Sequence, residues 1–209
     1  MNANGRLPFV VKVCGITNAE DVLAAVEAGA NALGFNFYEK SPRAISPDTA
    51  REIAAGVPAG VLKVGVFVNC PPQRVHAVAA MVPLDVVQLH GERASGVQLR
   101  TWRAVAVTAP LPLEESEPEA YLLDSYSPEY GGSGRTFDWR LARNAKSRLI
   151  LAGGLDGANV ARAVETARPW GVDACSRLEV SPGRKDPRRV RDFVEAAVAS
   201  LKASVQSST

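Results

Sequence analysis

Two side chains that can move protons stand at the ends of apolar runs in this sequence. Cys14 ends the run 9–14, and Asp124 ends the run 121–124. A thiolate can act as a base or nucleophile, and a carboxyl group desolvated by apolar neighbours can hold a proton and deliver it. The alternatives are a small inert thiol and a loop aspartate that bonds the local backbone. If the fold brings the two residues together, they predict acid–base catalysis.

Lys12 lies two residues before Cys14, and the alternation of a strand places both side chains on one face. Val11 and Val13 occupy the other face, which we expect to pack against helices. Lys12 and Cys14 then point into the interior, where an unpaired ammonium group would be costly. Asp173, in the eighth apolar run, is the candidate partner. An ammonium group beside Cys14 would also lower the pKa of the thiol.

Glycine-rich and polar segments in the second half of the chain predict a phosphate site. Glycine lets the backbone approach a ligand closely, and the helix after residues 153–154 can offer N–H donors to an anion. In α/β barrels the loops after the seventh and eighth strands frequently hold phosphate. The candidate phosphate-binding residues are Gly132, Ser133, Gly134, Gly153, Gly154, Ser176 and Arg177.

Arg43 and His90 are two further candidates, and each also has a simple structural explanation. Arg43 follows Pro42, and a guanidinium group held in this way suits two-pronged recognition of a carboxylate. The alternative is an ordinary surface charge. His90 ends the fourth apolar run and could exchange protons near neutral pH, or it could be a hydrogen-bonded structural histidine.

Eight short apolar runs would position these residues, and longer helix-like segments separate many of them. Apolar strands followed by helices indicate a parallel sheet buried on both faces, and eight such units predict a single-domain (β/α)8 TIM barrel over residues 1–209. Residues 1–8 and 203–209 are predicted to be loose termini. In such a barrel the active site lies at the carboxyl ends of the strands. The predicted strands are 9–14, 32–38, 61–68, 85–90, 103–108, 121–124, 148–152 and 171–176.

An open doubly wound sheet is the alternative architecture. That fold usually carries a glycine-rich dinucleotide loop after its first strand, and this sequence has none there. Asn18 and Ser46 are suitable N-caps, and Pro47 suits the first helical position. Helices are predicted over 18–28, from 47 onward, from 72 to about 81, over 158–167 and over 187–201.

The charge balance and composition exclude several classes of function. The 209 residues carry 24 lysines and arginines against 22 aspartates and glutamates, so a net charge of +2 does not favour nucleic acid or a membrane surface as partner. Three widely spaced cysteines and two histidines provide no zinc motif and no disulfide framework. No apolar run reaches the ~18 residues of a membrane span, and no signal peptide is recognisable. We expect a cytoplasmic protein without a bound metal.

A series of motifs resembles the phosphoribosylanthranilate isomerase family. Each motif is modest alone, but together they run in order from residue 12 to residue 186 and are highly specific. The matching segments are KVCGIT (12–17), GFNFYEKSPR (34–43), VGVFVN (64–69), VQLHG (87–91), LLDS (122–125), GGSGRTFDW (131–139), LAGGL (151–155), GVD (171–173) and PGRKD (182–186).

The resemblance implies a (β/α)8 barrel that needs no metal or cofactor and acts in tryptophan biosynthesis. The implied reaction is an Amadori rearrangement of N-(5-phosphoribosyl)anthranilate to 1-(2-carboxyphenylamino)-1-deoxyribulose 5-phosphate. Its general base would fall on Cys14, its general acid on Asp124 and its contact to the anthranilate carboxylate on Arg43. Phosphate contacts would fall on the loop 131–136, on residues 153–154 and on the loop after the eighth strand.

The implied partner is therefore a small phosphorylated sugar–anthranilate molecule. Lys12, His90 and Asp173 are candidates for supporting positions around the reacting groups. The family contains both monomers and dimers, and we expect either a monomer or a homodimer.

One segment departs from the family pattern. The family usually has Ser-Ser-Gly before Val-Glu, whereas this chain has CSRLE over residues 175–179 and so places Arg177 at the glycine position. Either the guanidinium group joins the phosphate site, or the loop takes a different conformation and binds phosphate less well. If the position requires a positive φ, arginine also pays a steric penalty. We expect altered but surviving phosphate binding, and we regard Ser133 for threonine and Arg135 for lysine as conservative.

Two other classes of function remain compatible with this barrel. A related phosphosugar enzyme, such as an epimerase or a histidine-pathway isomerase, would rely on a metal or on paired aspartates. This chain offers a cysteine and an aspartate instead. A non-catalytic barrel would bind substrate and product without turnover, and the presence of both Cys14 and Asp124 argues against it.

Overall fold

The computed structural model describes residues 8–91, 96–107, 118–125, 136–143 and 145–206 of the 209-residue chain. Eight parallel strands pair in sequence order, and β1 also pairs with β8, so the sheet closes into a barrel. This confirms the predicted architecture and excludes the open sheet. The barrel strands are β1 (Val10–Cys14), β2 (Ala32–Asn36), β3 (Leu62–Val68), β4 (Val86–His90), β5 (Thr101–Val107), β6 (Ala120–Ser125), β7 (Leu149–Leu151) and β8 (Gly171–Ala174).

Five α-helices are present in the described part of the chain, and the first two begin at side-chain N-caps. The side chain of Asn18 accepts a hydrogen bond from the backbone N–H of Asp21, and that of Ser46 accepts one from Thr49, as the predicted caps require. Pro47 occupies the first turn of its helix. The helices are α1 (Ala19–Glu27), α2 (Pro47–Ala54), α3 (Pro72–Met81), α4 (Val160–Ala167) and α5 (Pro187–Gln206).

Two apolar clusters fill the fold, one on each side of the sheet. The inner cluster includes Val10, Trp102 and Ile150 and fills the barrel below the site. The outer cluster joins the outward faces of the strands to the helices and includes Val11, Val13 and Phe193. The side-chain alternation predicted for β1 is thus present, with its valines packed outward.

A buried ion pair joins the first and last strands of the barrel. The ammonium group of Lys12 lies 2.9 Å from the carboxylate of Asp173, and the lysine side chain is completely buried. The two residues are also partners in the β1–β8 register. Burial alone would lower the pKa of Lys12, but Asp173 and Cys14 outweigh this effect and raise it. The predicted pairing is confirmed, and it neutralises a charge where the barrel closes.

Replacing Asp173 by asparagine should destabilise the protein by about 3–5 kcal/mol, because the buried ammonium group of Lys12 then loses the carboxylate of its ion pair and keeps only the Cys14 sulfur as an anionic neighbour. Asp48→Asn is the matched control, since Asp48 pairs with Arg51 on an exposed helix surface. That pair should contribute less than about 1 kcal/mol. Urea unfolding of both variants measures the difference. Equal urea midpoints for Asp173→Asn and Asp48→Asn would show that burial of Lys12 does not require the carboxylate of Asp173.

Several element boundaries differ from the prediction. β5 begins at Thr101 because Trp102 is fully buried inside the barrel. β8 ends at Ala174, shortly before a 3-10 turn over Ser176–Leu178. A short antiparallel hairpin then follows, formed by β9 (Glu179–Ser181) and β10 (Arg184–Lys185). It was not predicted from the sequence.

The C-terminal helix is longer than predicted. The sequence predicted a helix over 187–201 and a loose terminus from residue 203, whereas α5 continues to Gln206. Its apolar face packs on the barrel through Val190, Phe193 and Leu201. Among the described helices, none is both long and apolar enough to cross a membrane.

Candidate active site

Cys14 stands at the carboxyl end of β1 with 8% of its surface exposed. A hydrogen bond from Cys175 is the largest influence on it and lowers the pKa of the Cys14 thiol. Burial raises that pKa, but the positive charges of Lys12 and Lys185 lower it, and the net direction is well below the ordinary value. The surroundings therefore favour the thiolate form of Cys14.

Asp124 is the last residue but one of β6, and its surroundings act in the opposite direction. Burial raises the pKa of its carboxyl group to about 6, although hydrogen bonds from Ser125 oppose the shift. The charge of Cys14 adds to the increase, so the two groups lie within electrostatic reach of each other. A carboxyl group with this pKa keeps roughly a tenth of its population protonated at pH 7.

Two glycines leave room for these reacting groups. A Cβ atom at Gly34 would lie 2.7 Å from the sulfur of Cys14, and one at Gly153 would lie 2.6 Å from Oδ1 of Asp124. Gly153 also has a φ of +79°, which disfavours other residues. A side chain at either position would therefore displace a reacting group.

A small cavity brings Asp124 together with residues predicted to bind phosphate. Its walls are formed where β6, β7 and β8 end, as expected for the catalytic end of a barrel. The cavity contains the predicted positions Asp124, Gly153, Gly154, Asp173, Ser176 and Arg177, together with Cys175. The predicted phosphate contacts Gly132, Ser133 and Gly134 lie outside the described residues.

Arg177 occupies its unusual position without backbone strain. Among the described non-glycine residues, only Asn69 and Arg168 have positive φ values, so the steric penalty considered for Arg177 does not arise. Its guanidinium group lies 2.8 Å from the carboxylate of Asp156, just beyond β7. The loop is a 3-10 turn, and Ser176 and Arg177 of this turn line the cavity.

Arg43 is held by an acidic residue that the sequence reasoning missed. Glu179 accepts hydrogen bonds from Nε of Arg43 at 2.9 Å and from Nη2 at 2.7 Å. Lys185 lies 2.9 Å from the same carboxylate and is completely buried. Burial alone would raise the pKa of Glu179, but Arg43 and Lys185 outweigh it and lower that pKa. One edge of the guanidinium group is thus fixed by Glu179.

His90 ends β4 as a largely buried, neutral side chain. Its Nε2 atom lies 2.8 Å from the side-chain nitrogen of Gln88. Burial lowers the pKa of His90 to about 4, and the charges of Lys12 and Arg103 contribute. Of the two interpretations left open by the sequence, these surroundings favour a hydrogen-bonded structural histidine. Within the described ranges, no three His, Cys, Asp or Glu side chains are grouped to hold a metal ion.

Comparison with known families gives a match over almost the whole chain. A family model for N-(5'phosphoribosyl)anthranilate (PRA) isomerase matches residues 11–196. An N-(5'-phosphoribosyl)anthranilate isomerase of Solibacter usitatus is 51% identical over 202 residues, which are 93% of this chain and 100% of the relative.

Solved structures give the same match at the level of the fold. The phosphoribosyl anthranilate isomerase of Thermus thermophilus superposes with a TM-score of 0.83 at 35% identity, covering 92% of this chain and 99% of that one. A second isomerase structure is a complex with reduced 1-(o-carboxyphenylamino)-1-deoxyribulose 5-phosphate. It has a TM-score of 0.79 at 37% identity and covers 91% of this chain and 99% of that one.

Proposed function

This chain belongs to the N-(5'-phosphoribosyl)anthranilate isomerase family, whose reaction serves tryptophan biosynthesis, and from that membership we propose that Cys14 is its general base and Asp124 its general acid. The observation that carries the proposal is the opposite tuning of the two groups. The pKa of the Cys14 thiol is lowered, whereas that of the Asp124 carboxyl is raised to about 6. An acid and a base that act at one pH need this separation.

In the proposed first step, Asp124 donates its proton to the ring oxygen of the ribofuranose. The C1′–oxygen bond breaks, the ring opens, and the anthranilate nitrogen supplies the electron pair that forms a protonated Schiff base. Burial favours the protonated carboxyl group before transfer. The carboxylate of the substrate adds a second negative charge to the site, which favours that form further.

In the proposed second step, the thiolate of Cys14 removes the proton from C2′. The electron pair of the broken C–H bond neutralises the Schiff base and gives an enolamine, which tautomerises to the ketone product. Lys12 supports this role because its positive charge, fixed by Asp173 at 2.9 Å, stabilises the thiolate. No metal or cofactor is needed for either proton transfer.

We assign substrate binding to the two sides of the same site. Arg43, fixed along one edge by Glu179, is proposed to hold the anthranilate carboxylate. Gly153, Gly154 and Ser176 are proposed to hold the phosphate, together with the predicted contacts at 132–134. The cavity shared by Asp124 and the ends of β7 and β8 supports this assignment.

A fluorescence assay tests the proposed function directly. Phosphoribosylanthranilate is generated in situ, and the loss of its anthranilate fluorescence is followed with the wild-type protein and with a Cys14→Ser/Asp124→Asn double variant. We expect rapid turnover by the first and none above background by the second. Wild-type binding without turnover would favour a non-catalytic barrel, and turnover by the folded double variant would refute both residue assignments.

Truncation of Arg177 to alanine should raise KM several-fold and leave kcat unchanged. Arg177 lines the cavity, and its positive charge, although paired with Asp156, would contribute to binding the phosphate, which does not react and is bound equally in the ground state and the transition state. Arg188→Ala is the matched control, since Arg188 is an exposed arginine at the start of α5. An unchanged KM in steady-state kinetics would place the guanidinium group of Arg177 outside the substrate site.

A further inference from the structure

A second thiol, which the proposed reaction does not use, lies directly beside Cys14. Val13 of β1 is in register with Ala174 of β8, so the next residues along these parallel strands, Cys14 and Cys175, stand at the same level. Each thiol acts on the pKa of the other through a side-chain hydrogen bond, which lowers the pKa of Cys14 and raises that of Cys175. All three cysteines of the chain are in the free thiol form, so this contact is between two unoxidised groups.

Cys175 is held tightly on its other sides. The sulfur lies 3.7 Å from the ammonium group of Lys185, which also donates to the backbone carbonyl of Cys175 at 3.3 Å. An oxygen of Glu179 lies 3.8 Å from the same sulfur. A Cβ atom at Gly15 would come within 2.9 Å of it, so the backbone of the first loop also lies against this residue, which lines the cavity on another side.

The charges around the two sulfur atoms decide which one keeps the proton. Cys14 has the ammonium group of Lys12 as its close charged neighbour. Cys175 also has an ammonium neighbour, but the carboxylate of Glu179 lies beside the sulfur and repels a second negative charge there. The pKa directions agree, because the shared hydrogen bond raises the pKa of Cys175 and lowers that of Cys14. Cys175 therefore keeps its proton, and its S–H faces two acceptors, Oε1 of Glu179 at 3.8 Å and the sulfur of Cys14.

We propose that Cys175 is a positioning residue for the isomerase reaction, whose thiol donates its proton to a hydrogen bond with Cys14 and holds that residue as an oriented thiolate. This rests on the proposed role of Cys14 as the base. The same contacts extend the arrangement through Lys185 and Glu179 to Arg43. The base and the proposed carboxylate-binding arginine are thus held by one continuous set of buried polar contacts.

Titration of the thiolate ultraviolet absorbance tests the proposal without substrate. In a Cys70→Ser background, Cys175→Ser and Cys175→Ala each leave Cys14 as the single thiol. Serine retains an O–H donor, whereas alanine removes it. We expect the Cys14 midpoint of the alanine variant to lie about one pH unit higher, which corresponds to about tenfold less thiolate at neutral pH. If the Cys14 titration midpoints of Cys175→Ser and Cys175→Ala coincided, the proposal would be overturned.

Kinetics of the same two variants separate positioning from filling of space. The limb of kcat/KM that reports deprotonation of the base should move to higher pH in Cys175→Ala and stay near its wild-type position in Cys175→Ser. Cys175→Val, which fills the space without donating, should behave as alanine does. Retained turnover in Cys14→Ser would refute Cys14 as the base, whereas the titration would still report whether Cys175 controls its ionisation.

Discussion

Replacement of Cys14 by serine should slow turnover by about 10²–10⁴-fold, the range associated with one acid–base group. A serine hydroxyl at this position has nearly the same size but holds its proton far more strongly than a thiol whose pKa is lowered by its neighbours. Substrate binding should change little, because the proton at C2′ is not a binding contact. Steady-state kinetics with the fluorescence assay measure kcat and KM.

Cys70→Ser is the control for this substitution. Cys70 follows β3, and burial raises the pKa of its thiol, so it is not prepared to act as a base. We expect near-normal turnover from it, and unchanged circular dichroism spectra from both variants. If Cys14→Ser kept wild-type turnover, Cys14 would be an inert thiol in the barrel wall.

Replacement of Asp124 by asparagine should cause a loss of similar size and should also change the pH dependence. Asp124 must be protonated to donate, so wild-type kcat/KM should fall as pH rises through the pKa of about 6 in the free protein. Asparagine has no proton to give in this range. The variant should therefore lose both the rate and that limb of the profile.

The measurement is kcat/KM between about pH 5 and pH 9, with Asp48→Asn as the exposed control. Asp48 pairs with Arg51 on the surface of α2, and its replacement should leave the profile unchanged. A profile that kept the same limb in Asp124→Asn would assign the titration to another group and reject Asp124 as the acid.

Strand alternation and barrel closure predicted much of this site. The alternation of β1 placed Lys12 and Cys14 inward, and closure of an eight-stranded barrel made Asp173 the partner of Lys12, as the ion pair confirms. The caps Asn18 and Ser46 were readable because each acts within three residues of itself. The caps depend only on neighbouring residues, and the Lys12–Asp173 pair depends on the assumption that eight strands close into a barrel.

Contacts between side chains from distant loops were harder to predict. Glu179 reaches Arg43 across 136 residues through a hairpin that the sequence did not reveal. Cys175 lies in the segment that departs from the family pattern, where the sequence predicted roles for Ser176 and Arg177 but none for Cys175. The register of β8 with β1 was the available signal, because it sets Cys175 level with Cys14. The predicted loop contacts at 132–134 stay a prediction.

The ion pair that seals the barrel also sets an order of events during synthesis. Lys12 leaves the ribosome 161 residues before Asp173. Until then Lys12 lacks the carboxylate of its ion pair, and burying its ammonium group in a partial sheet would be costly. The first strand therefore keeps one edge unpaired while the intermediate strands emerge, because its partner at that edge is β8. Closure of the barrel therefore waits until β8 has been synthesised.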